Sequence, residues 1–553
     1  MASAKKPNFL IVVADDLGFS DTSPYGGEIS TPTLDRLARE GIRMTGFHTA
    51  SACSPTRSML MSGTDNHIAG LGQMAEYMKF RPDYQGRPGY EGYLNYRVAA
   101  LPEILQDSGY LTLMSGKWHL GLTKEYSPYA RGFDKSFVYL AGAGNHYNNE
   151  PQLDIPGPAA LNGGRFWMRN DEFLDRSQDI PKDFYSSKTF TDGLLDYFEN
   201  RSRGELEKPF FAYLPYTAPH WPLQAPQEVI AKYKGYYSDG PDALRTRRLE
   251  ALIERTLVPS DVEPAPMVGE VTKEWDEMNE DEKTLSARKM ETYAAMVDLI
   301  DQHLSRVIAY LEKTGELDNT FVLFISDNGA EGKLLEALPV SAGMPLGEIV
   351  EKYYDNTLDN IGRANSFVWY GPRWASAATA PSRGFKAWTT EGGIRCPCIV
   401  RYPPLAQPKG SIAHEFTTVM DILPTILDMA GIEHPGSHFR GREVVTPRGR
   451  SWVPFLNGKA ENVHENGTQD VTGWELFGRR AIRRGNWKAV FTPGPDEWEL
   501  FDLSQDHGEL HDLSKEKPTI LHELLVEWEK YYQETGMYDP DVEESRAQAT
   551  SRL

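Results

Sequence analysis

Cysteine is scarce in this chain. Cys53, Cys396 and Cys398 are the three cysteines among 553 residues, too few for a disulfide framework at this length. None of them has the Cys-x-x-Cys spacing of a structural zinc site. Hydrophobic residues make up 40% of the sequence and charged residues 25%, which indicates a globular rather than a disordered chain.

Long hydrophobic runs are also missing. The apolar stretch at residues 9–13 is followed, after one alanine, by Asp15 and Asp16. It is too short for the core of a signal peptide. No stretch approaches the roughly 20 apolar residues that a membrane span requires. The sequence therefore predicts a soluble, cytoplasmic protein with no membrane partner.

Positive charge is in deficit. The chain has 58 Lys and Arg against 79 Asp and Glu, a formal net charge of −21. Because nucleic-acid binding depends on cationic contacts with phosphate, we predict no nucleic-acid partner. A small anionic substrate would need a local cationic pocket or a metal ion to overcome the overall repulsion.

Strand and helix patterns alternate along most of the chain. Residues 9–13 form a continuous apolar run, typical of a strand buried on both faces of a parallel sheet. Residues 101–105 predict a helix and 110–114 a strand, and an amphipathic helix at 287–313 precedes an apolar strand at 320–325. This alternation predicts an α/β fold with a mostly parallel sheet flanked by helices.

The pattern changes near residue 434. Short strand-like segments separated by turns, then an apolar helix pattern, predict a small antiparallel sheet plus helix within 435–553. We therefore predict a larger domain at 1–434 and a C-terminal subdomain at 435–553. The stretches 147–180 and 226–285 are Pro-rich or highly charged, and we predict surface insertions there.

Oxygen-bearing side chains follow two of the predicted strands. Asp15 and Asp16 come after the first strand, and Asp327 and Asn328 come after the strand at 320–325. Ligands of open α/β sheets bind beyond the carboxyl ends of strands, and such oxygens suit Ca²⁺ or Mg²⁺. Acidic residues at strand ends also serve as helix caps or solvated loop residues, so either pair alone leaves both interpretations open.

Cys53 stands before a proline-initiated helix. The dipole at such a helix start favours an anion, and Arg57 lies one turn further along. This arrangement is typical of a nucleophile at an anion site. A buried structural cysteine is the alternative.

A longer motif surrounds this cysteine. Cys53-Ser54-Pro55-Thr56-Arg57 matches the Cys-x-Pro-x-Arg signature of the sulfatase family, in which the cysteine is oxidised to formylglycine (3-oxoalanine). Other segments follow in the family's order, at residues 14–18, 116–121, 219–222 and 326–329. The chain resembles the formylglycine-dependent arylsulfatases, most of all those of the cytosolic bacterial type.

The resemblance implies an alkaline-phosphatase-like fold with residues 1–434 as its catalytic domain. It implies one Ca²⁺, with Mg²⁺ as the alternative, held by Asp15, Asp16, Asp327, Asn328 and the formylglycine made from Cys53. It also implies two partners: a small-molecule sulfate ester as substrate and a formylglycine-generating enzyme for maturation.

The resemblance further implies a mechanism. One hydroxyl of the hydrated aldehyde at Cys53 would attack sulfur with Asp327 as a nearby base, and His119 would accept the proton when the second hydroxyl expels sulfate. The catalytic set would be Cys53, Arg57, Lys117, His119, His220, Asp327 and Lys386, with Lys117, His220 and Lys386 also binding the sulfate group. Arg383 is the competitor of Lys386.

We therefore predict a sulfuric ester hydrolase that cleaves aryl sulfates to a phenol and inorganic sulfate. One alternative is a phosphodiesterase or phosphonate monoester hydrolase, because formylglycine and a divalent ion also serve phosphorus chemistry. Another is a non-catalytic anion-binding relative with unmodified Cys53. We expect His67 to be structural, and the tyrosine-rich segment 77–96 to be either the wall of an aryl pocket or a surface loop.

Overall fold

The computed structural model describes most of the chain. The described residues are 5–154, 164–269, 272–336, 339–341, 344–464, 470–494, 497–540 and 542–543. Parts of both predicted insertions, residues 155–163 and 270–271, lie outside them.

A ten-stranded sheet forms the centre of the fold. In chain order its strands are β1 Asn8–Ala14, β2 Ile42–Met44, β3 Leu111–Lys117, β4 Lys135–Tyr139, β5 Trp167–Arg169, β6 Glu172–Phe173, β7 Phe210–Pro215, β8 Thr320–Ser326, β9 Cys398–Arg401 and β10 Ser411–Ala413. Side by side in the sheet they lie in the order β10-β2-β9-β8-β1-β7-β3-β4-β5-β6. Three two-stranded pairs lie apart from it, at Phe47–His48 with Thr417–Thr418, Pro339–Ser341 with Met344–Pro345, and His438–Phe439 with Arg442–Glu443.

The middle of this sheet is parallel. β1 pairs in parallel with β7 and β8, and β3 pairs in parallel with β7 and β4. Antiparallel pairs occur where β9 lies between β8 and β2, and at the far edge where β5 and β6 join. The predicted α/β class is confirmed.

Helices cover both faces of the sheet. The helices of seven or more residues are α1 Pro32–Glu40, α2 Cys53–Ser62, α3 Leu101–Asp107, α4 Ser186–Glu199, α5 Gly240–Glu254, α6 Glu280–Lys313, α7 Leu346–Tyr353, α8 Pro372–Ala378, α9 Ile422–Ala430 and α10 Pro518–Thr535; single turns are Asn66–Ala69, Ala75–Met78, Arg203–Leu206, Gln227–Ile230, Glu391–Ile394 and Val453–Leu456. Leu10 and Val12 of β1 enter one hydrophobic core and Phe9 and Ile11 the other, as the alternation of strand side chains requires. Within the described part of the chain, no helix combines the length and apolarity needed to cross a membrane.

Helix α6 begins seven residues before its predicted start. Asn279 and Glu282 form a capping box, in which each side chain accepts from the other residue's backbone N–H at 2.9 Å. The first turns are polar, so the apolar pattern reveals the helix only from residue 287 onwards.

The two stretches predicted as surface insertions also reach the interior. β5 and β6 lie within 147–180 and extend the central sheet. Helix α5 lies within 226–285, and its Arg248 is buried, donating to Asp21 at 2.5 Å and to Glu28 at 2.8 Å. The charge of Arg248 is paired inside the protein. The prediction that these two stretches lie wholly on the surface is therefore corrected.

The C-terminal part contains the predicted small sheet and helix. Its four antiparallel strands are β11 Val471–Leu476, β12 Arg479–Arg484, β13 Trp487–Phe491 and β14 Trp498–Asp502, with α10 packed on them. Gly473 interrupts the strand pattern of β11. That glycine is required by packing, since a Cβ there would lie 2.4 Å from the Tyr531 ring.

Candidate active site

The carboxyl ends of β1 and β8 bring four polar residues together. Ala14 and Ser326 are register partners, so the loops after both strands start at the same level of the sheet. Asp16 N donates to Asp327 Oδ1 at 3.2 Å, and Asn328 Nδ2 donates to Asp16 Oδ1 at 2.7 Å. All four predicted metal ligands on these loops, Asp15 included, are buried.

Two oxygens of this group fit a bound cation. Asp15 Oδ1 and Asn328 Oδ1 are buried and accept no hydrogen bond, which is costly for a carboxylate or amide without a ligand. Burial raises the pKa of Asp15 well above its ordinary value and that of Asp16 to about 7. Ligand atoms of Asp15, Cys53 and Asp327 lie within 4.8 Å of one another. This donor set suits a hard divalent cation.

The backbone is strained beside these residues. Asp16 has φ 69°, His119 φ 59° and Ala387 φ 71°, all in the left-handed region that favours glycine. Each costs on the order of 1 kcal/mol or more and persists where surrounding contacts enforce it. Strain of this kind concentrates at functional sites.

Cys53 is the first residue of α2 and is fully buried. Its Sγ lies 3.3 Å from His119 Nδ1. Burial alone would raise the pKa of the thiol, but Lys117, His119 and Lys386 outweigh it and lower the pKa to about 5. The residue predicted as the nucleophile therefore lies in a strongly cationic field.

Arg57 lies one turn along α2 and holds the carboxylate of Asp327. Its Nε and Nη2 donate to Asp327 Oδ2 at 2.9 and 2.7 Å, and its Nη1 donates to Lys117 O at 2.8 Å. Despite the burial of Asp327, this pairing keeps its pKa below the ordinary value. Arg57 orients Asp327 and the end of β3.

Lys117 and His119 come from the end of β3. Lys117 Nζ donates to Asp15 Oδ2 at 2.6 Å. His119 Nε2 donates to Glu76 Oε1 at 3.0 Å while its Nδ1 faces Cys53. Burial would lower the pKa of His119, but Glu76 and Cys53 raise it to about 9.

His220 and Lys386 complete the predicted set from two other loops. Lys386 Nζ lies 2.9 Å from Asp16 and 3.2 Å from Glu331 Oε2. His220 Nε2 lies 3.5 Å from Asp16 Oδ2, and burial, followed by the charge of Lys386, holds the pKa of His220 well below its ordinary value.

Arg383, the competitor of Lys386, lies away from this group. It donates to both carboxylate oxygens of Glu499 in β14, at 3.0 and 2.7 Å. The structure therefore brings together every residue of the predicted catalytic and metal-ligand sets. Lys386, and not Arg383, is the member of this group.

Two glutamates at the site have no counterpart in the sequence prediction. Glu76 lies in the single turn Ala75–Met78 without any motif. Glu331 comes four residues after Asp327. Its position shortly after a strand-end motif could have identified it from the sequence.

The other sequence candidates have structural surroundings. His67 is buried between Asp65 Oδ1 at 2.8 Å and Glu475 Oε2 at 3.2 Å, as expected for a structural histidine. In the tyrosine-rich segment, Tyr84 and Tyr90 are buried together as a small cluster, so this segment is more than a surface loop.

Comparison with protein families decides what these residues belong to. A family model described as "Sulfatase" matches residues 7–432, and one described as "N-sulphoglucosamine sulphohydrolase, C-terminal" matches residues 385–532. The chain belongs to the sulfatase family. It is therefore a sulfuric ester hydrolase by family, which confirms the resemblance drawn from the signature around Cys53.

Individual relatives agree with this assignment. This sulfatase is 58% identical over 541 residues to an uncharacterized sulfatase of Schizosaccharomyces pombe, covering 97% of this chain and 95% of the relative. It is 35% identical over 436 residues to the arylsulfatase of Klebsiella aerogenes, covering 78% and 88%. The crystal structure of Ps i-CgsB in complex with k-i-k-neocarrahexaose shares the fold with a TM-score of 0.65 at 23% identity, covering 95% and 93%. The alkaline-phosphatase-like fold is thereby confirmed.

Proposed function

We propose that this sulfatase hydrolyses aryl sulfates to a phenol and inorganic sulfate. The observation that carries the proposal is the position of Cys53 at the start of α2, with cationic side chains and three buried carboxylates around it. The 35% identity to the Klebsiella aerogenes arylsulfatase supports the aryl class.

The sulfate group would bind among Lys117, His220 and Lys386. Both lysines act strongly enough on Cys53 to lower its pKa, so both lie near the proposed reacting atom. An anionic ester placed there gains from these charges in a buried, low-dielectric site. This local cationic field offsets the net charge of −21 that would otherwise repel the substrate.

Asp15, Asp16, Asp327 and Asn328, with the residue made from Cys53, would hold one divalent cation. Three carboxylates and an amide oxygen favour Ca²⁺ over Mg²⁺. The bound cation would polarise the sulfate ester and stabilise negative charge. The protein's own part is to keep Asp327 ionised, which Arg57 does with two hydrogen bonds.

The Sγ of Cys53 marks the position from which a formylglycine nucleophile would be made. A separate formylglycine-generating enzyme would perform that oxidation. His119 Nδ1, 3.3 Å from Sγ, is placed to exchange a proton with this residue, while Glu76 holds the opposite nitrogen. The generating enzyme and the cytoplasmic location stay predictions, as does the domain boundary at residue 434.

His220 would assist the leaving group from its Nε2. Its Nδ1 lies 2.7 Å from Trp221 O, and a carbonyl can only accept, so Nδ1 carries the hydrogen. Nε2 is therefore the atom on the Asp16 side that can take up a proton. An anionic substrate would favour that protonation by offsetting the charges of Lys386 and Lys117, which lower the pKa of His220.

Two measurements test the proposal. Mass spectrometry of the tryptic peptide 44–57 from protein made in its native host should show an aldehyde in place of the Cys53 thiol. The kcat/KM of this protein should be highest for 4-nitrophenyl sulfate among the matched sulfate, phosphate and phosphonate esters. Cys53→Ala should lower it at least about 10³-fold without unfolding the protein.

Other outcomes would support the alternatives. A higher kcat/KM on a phosphorus ester would indicate a phosphodiesterase or phosphonate monoester hydrolase. An unmodified Cys53 together with no turnover of any ester would indicate a non-catalytic anion-binding protein.

A further inference from the structure

A strained hairpin turn points to a function for Phe477. β11 and β12 are joined by Phe477 and Gly478, because Leu476 and Arg479 are register partners. Both turn residues have positive φ, 54° and 78°, as in the type I′ turn that favours Asn-Gly. A bulky residue such as Phe477 at the first position of this turn is an outlier. Backbone strain of this kind clusters at functional sites.

Phe477 lies outside the hydrophobic cores and is half-buried. Its ring meets that of Tyr77 edge to face, with centroids 4.9 Å apart at 74°. Lys333 Nζ lies over the same ring, 4.6 Å from its centroid. We call Tyr77, Lys333 and Phe477 the rim.

The rim connects two sides of the active site. Tyr77 directly follows Glu76, whose carboxylate accepts from His119. Lys333 comes two residues after Glu331, whose carboxylate pairs with Lys386 at 3.2 Å. Phe477 contacts both rim partners, so the tip of the C-terminal hairpin lies between the segment that carries Glu76 and the segment that carries Glu331.

The hairpin tip is fixed in this place. Phe477 N donates to Gln73 Oε1 at 3.3 Å, and Gln73 Nε2 donates to both oxygens of Glu475 at 3.0 Å. Gln73 and Glu475 are buried. The C-terminal sheet is thus tied to the segment that carries Glu76 and Tyr77, and it presents Phe477 in one position.

Lys333 provides an available positive charge in the rim. No carboxylate of the described residues lies within ion-pair distance of its Nζ; its contact is the Phe477 ring. Lys333 also lines a cavity of about 770 Å³ together with Leu334, Phe385 and Trp388. Phe385 immediately precedes Lys386, so the cavity adjoins the loop that supplies this residue.

We propose that the rim is the leaving-group subsite and that it takes an aromatic ring bearing an anionic substituent. The ring packs against Phe477 and Tyr77, and the anion pairs with Lys333. Aromatic contact and a charge pair are the interactions that these side chains offer. The inference rests on the proposed sulfatase reaction and adds the chemical class of the alcohol that is released.

A matched pair of substrates tests the charge. In Lys333→Gln, the KM for 4-carboxyphenyl sulfate should rise about tenfold, the loss of one charge pair, while the KM for its methyl ester stays unchanged. Lys79→Gln is the control, because Lys79 Nζ also lies over a ring, that of Phe80 at 5.7 Å, outside the rim. An equal change for both esters, or no change for either, would overturn the assignment of Lys333.

A second variant tests the ring without endangering the fold. Phe477→Asn creates the Asn-Gly pair that the turn favours, so the melting temperature should not fall. The KM of this variant should rise about tenfold for 4-carboxyphenyl sulfate and for its methyl ester. Phe80→Leu should leave both KM values unchanged. A Phe477→Asn protein with wild-type KM values would contradict the subsite.

Binding of the product separates this inference from the proposed reaction. Calorimetry with 4-hydroxybenzoate needs no turnover, so it remains informative if the wild-type protein cleaves neither ester. In that case the proposed reaction fails. Weaker binding to Lys333→Gln than to Lys79→Gln would still support the subsite, and equal binding would refute it.

Discussion

At the residue scale, each of the three buried aspartates of the active site pairs with a cation. Asp15 pairs with Lys117 at 2.6 Å, Asp16 with Lys386 at 2.9 Å and Asp327 with Arg57 at 2.7 Å. Leaving any of these charges unpaired in the interior would cost several kcal/mol. The pairs keep the carboxylates in place while Asp15 Oδ1 remains free of hydrogen bonds, which suits the proposed metal site.

The residue scale gives a first prediction at Glu76. Glu76→Gln keeps an oxygen for the hydrogen bond from His119 but removes the charge that raises the pKa of this histidine. We expect kcat on 4-nitrophenyl sulfate to fall about tenfold, as for residues that orient catalytic groups, with little change in KM. Glu312→Gln, which removes an exposed ion pair with Arg36, should leave both constants unchanged. A wild-type kcat for Glu76→Gln would contradict a positioning role.

What the sequence reveals at this scale depends on how local the signal is. Cys53 and Arg57 belong to one contiguous signature, and the aspartates follow recognisable strands. Glu76 meets His119 across 43 residues of sequence, and Phe477 meets Gln73 across 404. No local sequence pattern encodes such contacts. The positions of Glu76 and Phe477 relative to the site could therefore be identified only from the structure.

At the scale of elements, the loop after β4 fixes the His119 ring. A Cβ at Gly142 would lie 2.6 Å from both Cε1 and Nε2 of His119 and 3.2 Å from Glu76 Oε1. This loop can therefore approach His119 closely only with glycine at that position.

Gly142→Ala should accordingly displace the His119 ring. We expect kcat to fall by a factor on the order of 10 to 100, the cost of a misplaced catalytic group, with an unchanged far-ultraviolet circular dichroism spectrum. Gly204→Ala is the control, since a Cβ there meets nothing within 4 Å. Wild-type kinetics for Gly142→Ala would show that the ring tolerates the added methyl group.

The elements that the sequence predicts well are strands with continuous apolar runs. β1 and β8 are buried over their full length, and the apolar runs at residues 9–13 and 320–325 locate them closely. Helix α5 escaped prediction because its buried Arg248 reads as a surface charge. The partners that neutralise it, Asp21 and Glu28, lie 227 and 220 residues away in sequence.

At the scale of the whole molecule, a buried charge cluster joins the C-terminal sheet to the catalytic part. Lys488 of β13 lies 2.8 Å from Glu391 and 2.8 Å from Glu509, and all three side chains are buried. Lys488→Met would leave two buried carboxylates without their cation.

This variant should lose about 3–5 kcal/mol of unfolding free energy. Urea denaturation followed by circular dichroism measures the loss. Arg484→Met provides the comparison, because its partner Glu523 is half exposed, and removal of such a pair should cost at most about 1 kcal/mol. Equal losses in the two variants would mean that the buried cluster does not hold the sheet in place.

His67 forms a second connection between the same parts of the molecule, and this one depends on pH. It lies between Asp65 and Glu475 of β11, and Tyr531 of α10 donates to Asp65 at 2.6 Å. Although burial opposes it, the two carboxylates raise the pKa of His67 to about 9 from the ordinary 6.5. The charged imidazolium therefore stabilises the folded state fully below pH 6.5.

That contribution must disappear as the pH rises through about 9, because the folded protein then loses the proton that the unfolded chain has already lost. A shift of this size corresponds to at most about 3 kcal/mol. Urea unfolding of the wild type and His67→Gln at pH 6, 7, 8 and 9 should show a stability difference that shrinks by up to this amount, mostly between pH 7 and 9. His438→Gln, at an exposed position, should show no such trend. A difference that stays constant with pH would mean that His67 is neutral when folded and joins the two parts by hydrogen bonds alone.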